Sequence, residues 1–119
     1  MKNKIKNLIQ IIKTGNPQEV KQAKKEIEHI WHTYYIFHRK GGKKAFSVFV
    51  DELTDFENIK DDDHKAYFIH ALKWAFWTIS NEYFDDFATF IYQNIQHPSG
   101  KIRQAIISSS DIFFLQLTH

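Results

Sequence analysis

The stretch YFIHALKWAFW, residues 67–77, is apolar at nearly every position. Its apolar residues fall on most sides of a helical projection, which is typical of a helix packed against neighbours on several sides. Three aspartates, residues 61–63, precede the stretch. Because negative charge stabilises a helix N-terminus, we expect the helix to begin there. The stretch therefore predicts a central buried helix.

Five other segments repeat apolar residues at spacings of three and four, the period of an amphipathic helix. They cover about residues 2–13, the region from Pro17 to the Gly41–Gly42 pair, and about residues 43–56, 81–96 and 99 onward. Asn16 and Pro17 have the residue types expected at the N-cap and first turn of a helix, and Glu19 places a favourable charge in that turn. No segment shows a sustained alternation of period two. The sequence predicts one all-α domain over residues 1–119, with about six helices in three antiparallel pairs.

Apolar spacing also predicts which side chains are buried. In the first helix these are Ile5, Leu8, Ile9 and Ile12. In the third they are Phe46, Phe49, Val50 and Leu53, with Asp51, Glu52 and Asp55 on the solvated side. In the fifth they are Phe84, Phe87, Ala88, Ile91 and Ile95, and in the sixth Ile102, Ala105, Ile106, Ser109 and Phe113. Residues 112–117 are more apolar than the terminal helix of a repeat protein should be. This predicts a homodimer contact through the C-terminal helix, or a chain that is part of a longer array of repeats.

The composition excludes several classes of site. The chain has no cysteine, so it has no disulfide, thiolate nucleophile or cysteine-based metal site. No apolar run approaches the ~18 residues of a membrane span. The basic N-terminus lacks the cleavage pattern of a signal peptide. We expect a cytoplasmic protein with no membrane partner.

The segment PSGKIRQA, residues 98–105, contains a Gly-Lys pair that could belong to a phosphate-binding loop or to a helix start. A P-loop needs a preceding strand, a longer glycine loop, and Ser or Thr directly after the lysine. Here a predicted helix precedes, one glycine is present, and Ile102 follows Lys101. We therefore place Lys101 at the start of a helix.

That segment also repeats features of PQEVKQA, residues 17–23: a proline, a β-branched residue, a base, Gln and Ala. A fainter copy, His64-Lys65-Ala66, opens the central helix. Val20, His64 and Ile102 are 44 and 38 residues apart, close to the ~40–47 residues of two-helix repeats. In these features the chain resembles the HEAT/armadillo-like repeat family, which implies an α–α superhelix of three helix pairs. The usual leucine-rich second helix is missing, and an irregular six-helix bundle is the alternative.

The charges are distributed unevenly. Residues 1–44 carry 11 Lys/Arg and 3 Asp/Glu, whereas residues 45–119 carry 5 and 11. Such asymmetry favours binding to an acidic surface. Four candidate binding residues surround the Gly41–Gly42 turn, close in sequence to Tyr34, Tyr35 and Phe37: Arg39, Lys40, Lys43 and Lys44. Three more candidates precede them in the second predicted helix: Lys21, Lys24 and Lys25. Basic residues beside aromatic ones also suit a nucleic-acid backbone.

No catalytic motif is present. Ser108-Ser109-Ser110 lacks the glycine elbow of a serine nucleophile. Glu26, His29 and His32 could centre a metal-dependent enzyme, but their spacing matches neither a di-iron bundle nor a zinc-protease helix. We expect no catalytic residues, no metal and no cofactor. The sequence favours a non-enzymatic helical-repeat module whose partner is another macromolecule, most consistent with a protein. The alternative is a nucleic-acid-binding protein that uses the basic N-terminal third.

Overall fold

The structure is a computed structural model that describes residues 1–37 and 42–111, with side chains for all of these except residues 35–37. Within these ranges it is helical, with no β-strand, which confirms the predicted all-α fold class. The helices are α1 (Lys2–Thr14), α2 (Pro17–Phe37), α3 (Gly42–Phe46), α4 (Val48–Leu53), a 3₁₀ helix (Phe56–Asn58), α5 (Asp62–Ile79), α6 (Phe84–Asn94) and α7 (Gly100–Ser109). None of these described helices is both long and apolar enough to cross a membrane.

The predicted third helix is interrupted at Ser47. The Ser47 hydroxyl donates to the carbonyl of Lys44, and the Ser47 carbonyl accepts from the Val50 amide at 3.0 Å, three residues on. Serine side chains compete with the helical backbone in this way, so α3 and α4 form as two short pieces. Counted as one interrupted helix, they bring the α-helices of the described residues to six, the number that the sequence predicts.

The start of α2 is fixed by a reciprocal pair of hydrogen bonds. The Glu19 amide donates to the side-chain oxygen of Asn16 at 2.9 Å, and the Asn16 amide donates to the Glu19 carboxylate at 3.0 Å. This is a capping box, which satisfies two backbone donors at the helix N-terminus. The predicted roles of Asn16, Pro17 and Glu19 are confirmed.

Helix α5 lies at the centre of the fold, as the sequence predicts. It contacts α1, α2, α3 and α7, and its buried side chains are contributed by several faces of the helix. Phe68, Ile69 and Leu72 are fully buried. Asp61 caps the helix by accepting a hydrogen bond from the His64 amide at 2.8 Å.

The remaining helices pack around α5 directly or through one another. Helices α1, α2, α3 and α7 contact α5, and α4 lies between α1 and α6, contacting both. Helix α1 also packs on α2, and α6 on α7. The antiparallel pairing and the superhelical path implied by the HEAT resemblance stay predictions. This packing places α5 beside α2 on one flank and beside α7 on the other, which creates the grooves described below.

The predicted buried face of α6 is wrong at its two ends. Phe84 and Ile95 are 39% and 38% exposed, whereas Phe90 and Asn94 are buried. Helix α6 turns the face that carries Phe87, Phe90 and Asn94 toward α4 and α7, its contacting neighbours. The Phe90 ring meets the Phe56 ring edge-on, with centroids 5.0 Å apart. The predicted buried residues of α1 are confirmed, and Phe113 with the apolar run 112–117 lies outside the described residues.

Candidate functional site

A groove of about 370 Å³ runs between α2 and α5. Lys21, Lys24 and Lys25 line it from α2, and His70 and Lys73 line it from α5. The α2 residues lie on one face because their spacing is three and four. The opposite, apolar face of α2 is buried in the core and fixes the rotation of the helix. We call this feature the basic groove.

Positive charge predominates in the basic groove. The four lysines Lys21, Lys24, Lys25 and Lys73 form no ion pair with any carboxylate of the described residues. Glu28 is the one carboxylate that lines the groove, and its oxygen lies 3.7 Å from His32 Nε2. An anion entering the groove would therefore meet lysines that have no competing partner within the described parts of the chain.

The crowding of these cations affects the pKa of Lys24. Burial lowers the pKa of the Lys24 ammonium, and repulsion from Lys73 lowers it further. Both effects disfavour the charged form, because the ion loses water and gains a like-charged neighbour. A bound anion would offset both costs, so the groove is electrostatically prepared for negative charge.

His70 contributes a different kind of donor. Burial lowers the pKa of its ring, with repulsion from Lys24 and Lys73 adding to the effect, so the neutral form is favoured. Its Nδ1 lies 3.3 Å from the hydroxyl oxygen of Ser109, which α7 presents in a buried position. Ser109 has no other hydrogen-bond partner among the described residues, and a buried hydroxyl needs an acceptor. We therefore infer that the Ser109 hydroxyl donates to Nδ1, which leaves Nε2 carrying the N–H of the neutral ring.

An adjoining cavity of about 470 Å³ lies on the other side of the same α5 residues. Tyr67 and His70 line both this cavity and the basic groove, and Lys101 of α7 lies at its far side. Lys101 Nζ is 2.6 Å from Asp63 Oδ1, so its charge is partly balanced. Of the lysines that line the two cavities, those without a carboxylate partner among the described residues therefore line the basic groove.

Of the two aromatic side chains that line the groove, Tyr67 and Trp74, Trp74 belongs to a tryptophan cluster. The ring centroid of Trp31, on α2, lies 4.7 Å from that of Trp74 and 5.7 Å from that of Trp77, both on α5. Lys73 Nζ lies over the Trp74 ring, 4.8 Å from its centroid. Such a cation–π contact orients the lysine, and it covers one face of the Trp74 ring.

The structure groups only part of the predicted basic patch. Lys21, Lys24 and Lys25 lie together in the basic groove, whereas Lys43 pairs with Glu82 at 2.7 Å and Lys44 is exposed near the other end of α2. Gly42 packs against Tyr34, ten residues after Lys24 and so about 15 Å farther along the helix. Arg39 and Lys40 lie outside the described residues.

Lys73 and His70 are groove residues that the sequence analysis missed. They lie 48 and 45 positions after Lys25, so no local pattern joins them to α2. The usable signal is in the opening stretch: His70 and Lys73 are its two ionisable residues besides Tyr67, and they are three positions apart. Two such residues on one helix face mark the side that neighbouring helices leave open.

A second charged cluster lies inside the fold. Lys13 is 7% exposed, and its ammonium lies 2.8 Å from Glu52 and 2.9 Å from Asp55. Burial lowers the pKa of Lys13, but its hydrogen bonds to the two carboxylates outweigh that effect, so the pKa is raised. The prediction that Glu52 is solvated is wrong, because its side chain is 13% exposed and pairs across to α1. This cluster has a structural role.

The residues considered for a metal or a nucleophile are arranged otherwise. Among the described residues, no group of three or more His, Asp or Glu side chains could hold a metal ion, and the set Glu26, His29 and His32 is no exception. Ser109 is 3% exposed, and no carboxylate among the described residues hydrogen-bonds the His70 ring. The Ser109–His70 pair therefore lacks the access and the third group of a catalytic triad.

Comparison of this chain with protein-family models, with curated proteins and with solved structures gives no match.

Proposed function

We propose that this protein is a non-enzymatic helical-repeat module that binds an acidic segment of a partner protein in the basic groove. The observation that carries the proposal is the set of four lysines that face one groove without a carboxylate partner among the described residues. Native proteins usually separate or pair such charges, since like charges held close together repel. A ligand with several carboxylates would complete the pairs.

The strength of such binding follows from the number of pairs. Each exposed lysine–carboxylate pair contributes about 0.2–1 kcal/mol, so three or four pairs contribute about 0.6–4 kcal/mol. That corresponds to an affinity gain of roughly threefold to several hundredfold, which salt would weaken. Apolar contacts to Tyr67 and Trp74 would supply the rest. An electrostatic groove beside half-buried aromatic residues suits a short extended or helical segment of a protein.

The test is binding of a fluorescein-labelled oligo-glutamate 12-mer, followed by fluorescence anisotropy at low and at physiological salt. The double variant K21E/K25E reverses two groove charges and should lower the affinity about tenfold or more. The matched control K2E/K4E makes the same change of net charge on exposed residues of α1 and should bind nearly as the wild type. Equal losses in both variants would show that net charge, and not the groove, attracts the peptide.

Nucleic acid is the second candidate, because Tyr67 and Trp74 lie beside the lysines of the groove. Two observations favour protein over nucleic acid. Lys43, on α3, lies near the end of α2 opposite to the groove lysines, so the described cations do not form one long stripe. Lys73 also covers a face of the Trp74 ring. Labelled single-stranded and duplex DNA and RNA in a salt series test this alternative. An affinity that falls steeply with salt, together with loss of binding in R39E/K40E/K43E/K44E, would establish it.

The remaining parts of the proposal are independent of the groove. A homodimer through the C-terminal helix would involve residues 112–117, and sedimentation at several concentrations tests it. A cytoplasmic location is tested by fractionating cells that express the tagged chain.

A further inference from the structure

We infer that the basic groove contains a phosphoryl subsite, formed by Lys24, His70 and Lys73, that recognises a phosphorylated side chain within the acidic segment. This inference rests on the proposed function, since it names the group that the same groove would read. Such a subsite would prefer a phosphate monoester dianion to a single carboxylate.

Positive charge is concentrated in a small part of the groove. Lys21, Lys24 and Lys25 lie within about 6 Å of helix axis, and Lys73 reaches the same space from α5. A phosphoserine or phosphothreonine carries a charge of about −1.5 to −2 on three acceptor oxygens. One such group can accept from several ammonium groups at once, whereas one carboxylate offers a single charge on two oxygens. The compact cluster therefore fits the phosphate better.

His70 adds a neutral hydrogen-bond donor to the lysines of the groove. With Nδ1 of His70 accepting from Ser109, its Nε2–H is the free donor of the ring, and no described residue accepts from it. A ring held neutral donates in one fixed direction. Ammonium and imidazole N–H groups that line one groove can donate together to the oxygens of one phosphate.

The cations of the groove repel one another. Burial lowers the pKa of both Lys24 and His70, and repulsion adds to the effect, from Lys73 on Lys24 and from both lysines on His70. The residues facing His70 from other elements are Lys24 on α2 and Ser109 on α7, with Lys101 and Asp63 lining the adjoining cavity. Apart from Glu28 and the Asp63–Lys101 pair, the charged groups that line the two cavities are lysines, so a dianion relieves their repulsion more than a monoanion does.

The experiment uses three labelled 12-mers that are identical in their glutamate flanks and carry phosphoserine, glutamate or serine at the centre. We expect the wild type to bind the phosphoserine peptide about tenfold more tightly than the glutamate peptide. Inorganic phosphate at millimolar concentration should displace the phosphoserine peptide in preference to the glutamate peptide. K24Q should remove most of the difference between the two peptides, and K2Q, the matched control, should retain it.

The variant S109A tests the role of Ser109 as a positioning residue. It keeps every cation of the groove but frees Nδ1 of His70, so the phosphoserine preference should fall several-fold while glutamate binding stays nearly constant. A merely structural role would lower the binding of both peptides together. The ring ¹⁵N shifts of His70 supply a second measurement, because they identify which nitrogen carries the proton in the wild type and in S109A.

The outcomes separate the two proposals. Equal affinity for the phosphoserine and glutamate peptides would overturn the phosphoryl subsite and leave the acidic-segment function standing. No binding of either peptide at low salt would overturn both. Single-stranded DNA of equal charge that binds more tightly than the phosphoserine peptide, with the same loss in K24Q, would replace the protein ligand by a nucleic acid.

Discussion

The buried ion pair between Lys13 and Glu52 makes a quantitative prediction about stability. Substituting Lys13→Met keeps a long unbranched side chain but removes the charge, which leaves the Glu52 carboxylate nearly buried without its cation. Removing one partner of a fully buried pair costs about 3–5 kcal/mol. Because Glu52 keeps 13% of its side-chain surface and Asp55 is half exposed, we expect a smaller loss of about 2–3 kcal/mol.

Urea denaturation followed by far-UV circular dichroism measures this loss. With a slope of about 1–3 kcal/mol/M, the midpoint should fall by about 1–2 M. The double variant K13M/E52L removes both charges and should recover much of the stability, since an apolar pair of similar volume replaces a buried ion pair at little cost. A loss below about 0.5 kcal/mol in K13M, or a double variant no more stable than K13M, would refute the placement of Glu52 in the interior.

Three further predictions concern the helices. The ring nitrogens of His64 lie 2.7 Å from the Gly15 carbonyl and 2.7 Å from the Asp61 carboxylate, and these contacts raise the pKa of the ring. The stability that they add is present below the unfolded-state pKa of about 6.5 and is lost as the pH rises through the folded-state pKa, so the unfolding free energies of the wild type and H64Q should converge as the pH rises through the folded-state pKa. F90A should cost about 3–5 kcal/mol in thermal or urea unfolding, whereas Y92A, at an 83% exposed site on the same helix, should change stability by under about 0.5 kcal/mol; equal effects would contradict the orientation of α6. N16A should cost about 0.5–2 kcal/mol by loss of the cap of α2, and an unchanged urea midpoint would show that the capping box contributes nothing.

Local signals predicted the features that depend on neighbours in sequence. The start of α2 was predictable because Asn16, Pro17 and Glu19 act within one helical turn. The central position of α5 was predictable because a helix that is apolar on most sides must be covered on most sides. Both of these predictions rest on one segment and its immediate flanks.

Features that depend on distant partners were not predictable in this way. Glu52 looks like a solvated residue within its own helix, and only the approach of α1, 39 positions earlier in the chain, shows that it pairs with Lys13. The face of α6 was ambiguous because apolar residues at 84 and 95 continue the stripe beyond the part that neighbours cover. The basic groove likewise needs two helices whose lysines lie 48 positions apart.

The central claim is that the basic groove binds anions of a partner protein, and chemical-shift mapping tests it most directly. Titration of the ¹⁵N-labelled chain with the phosphoserine peptide should shift the amide signals around Lys24 and Lys73 and the ring signals of His70. The signals of Lys43 and Lys44 at the far end of α2 should stay in place. Shifts confined to Lys43 and Lys44, or no saturable shift at the groove at low salt, would contradict the account.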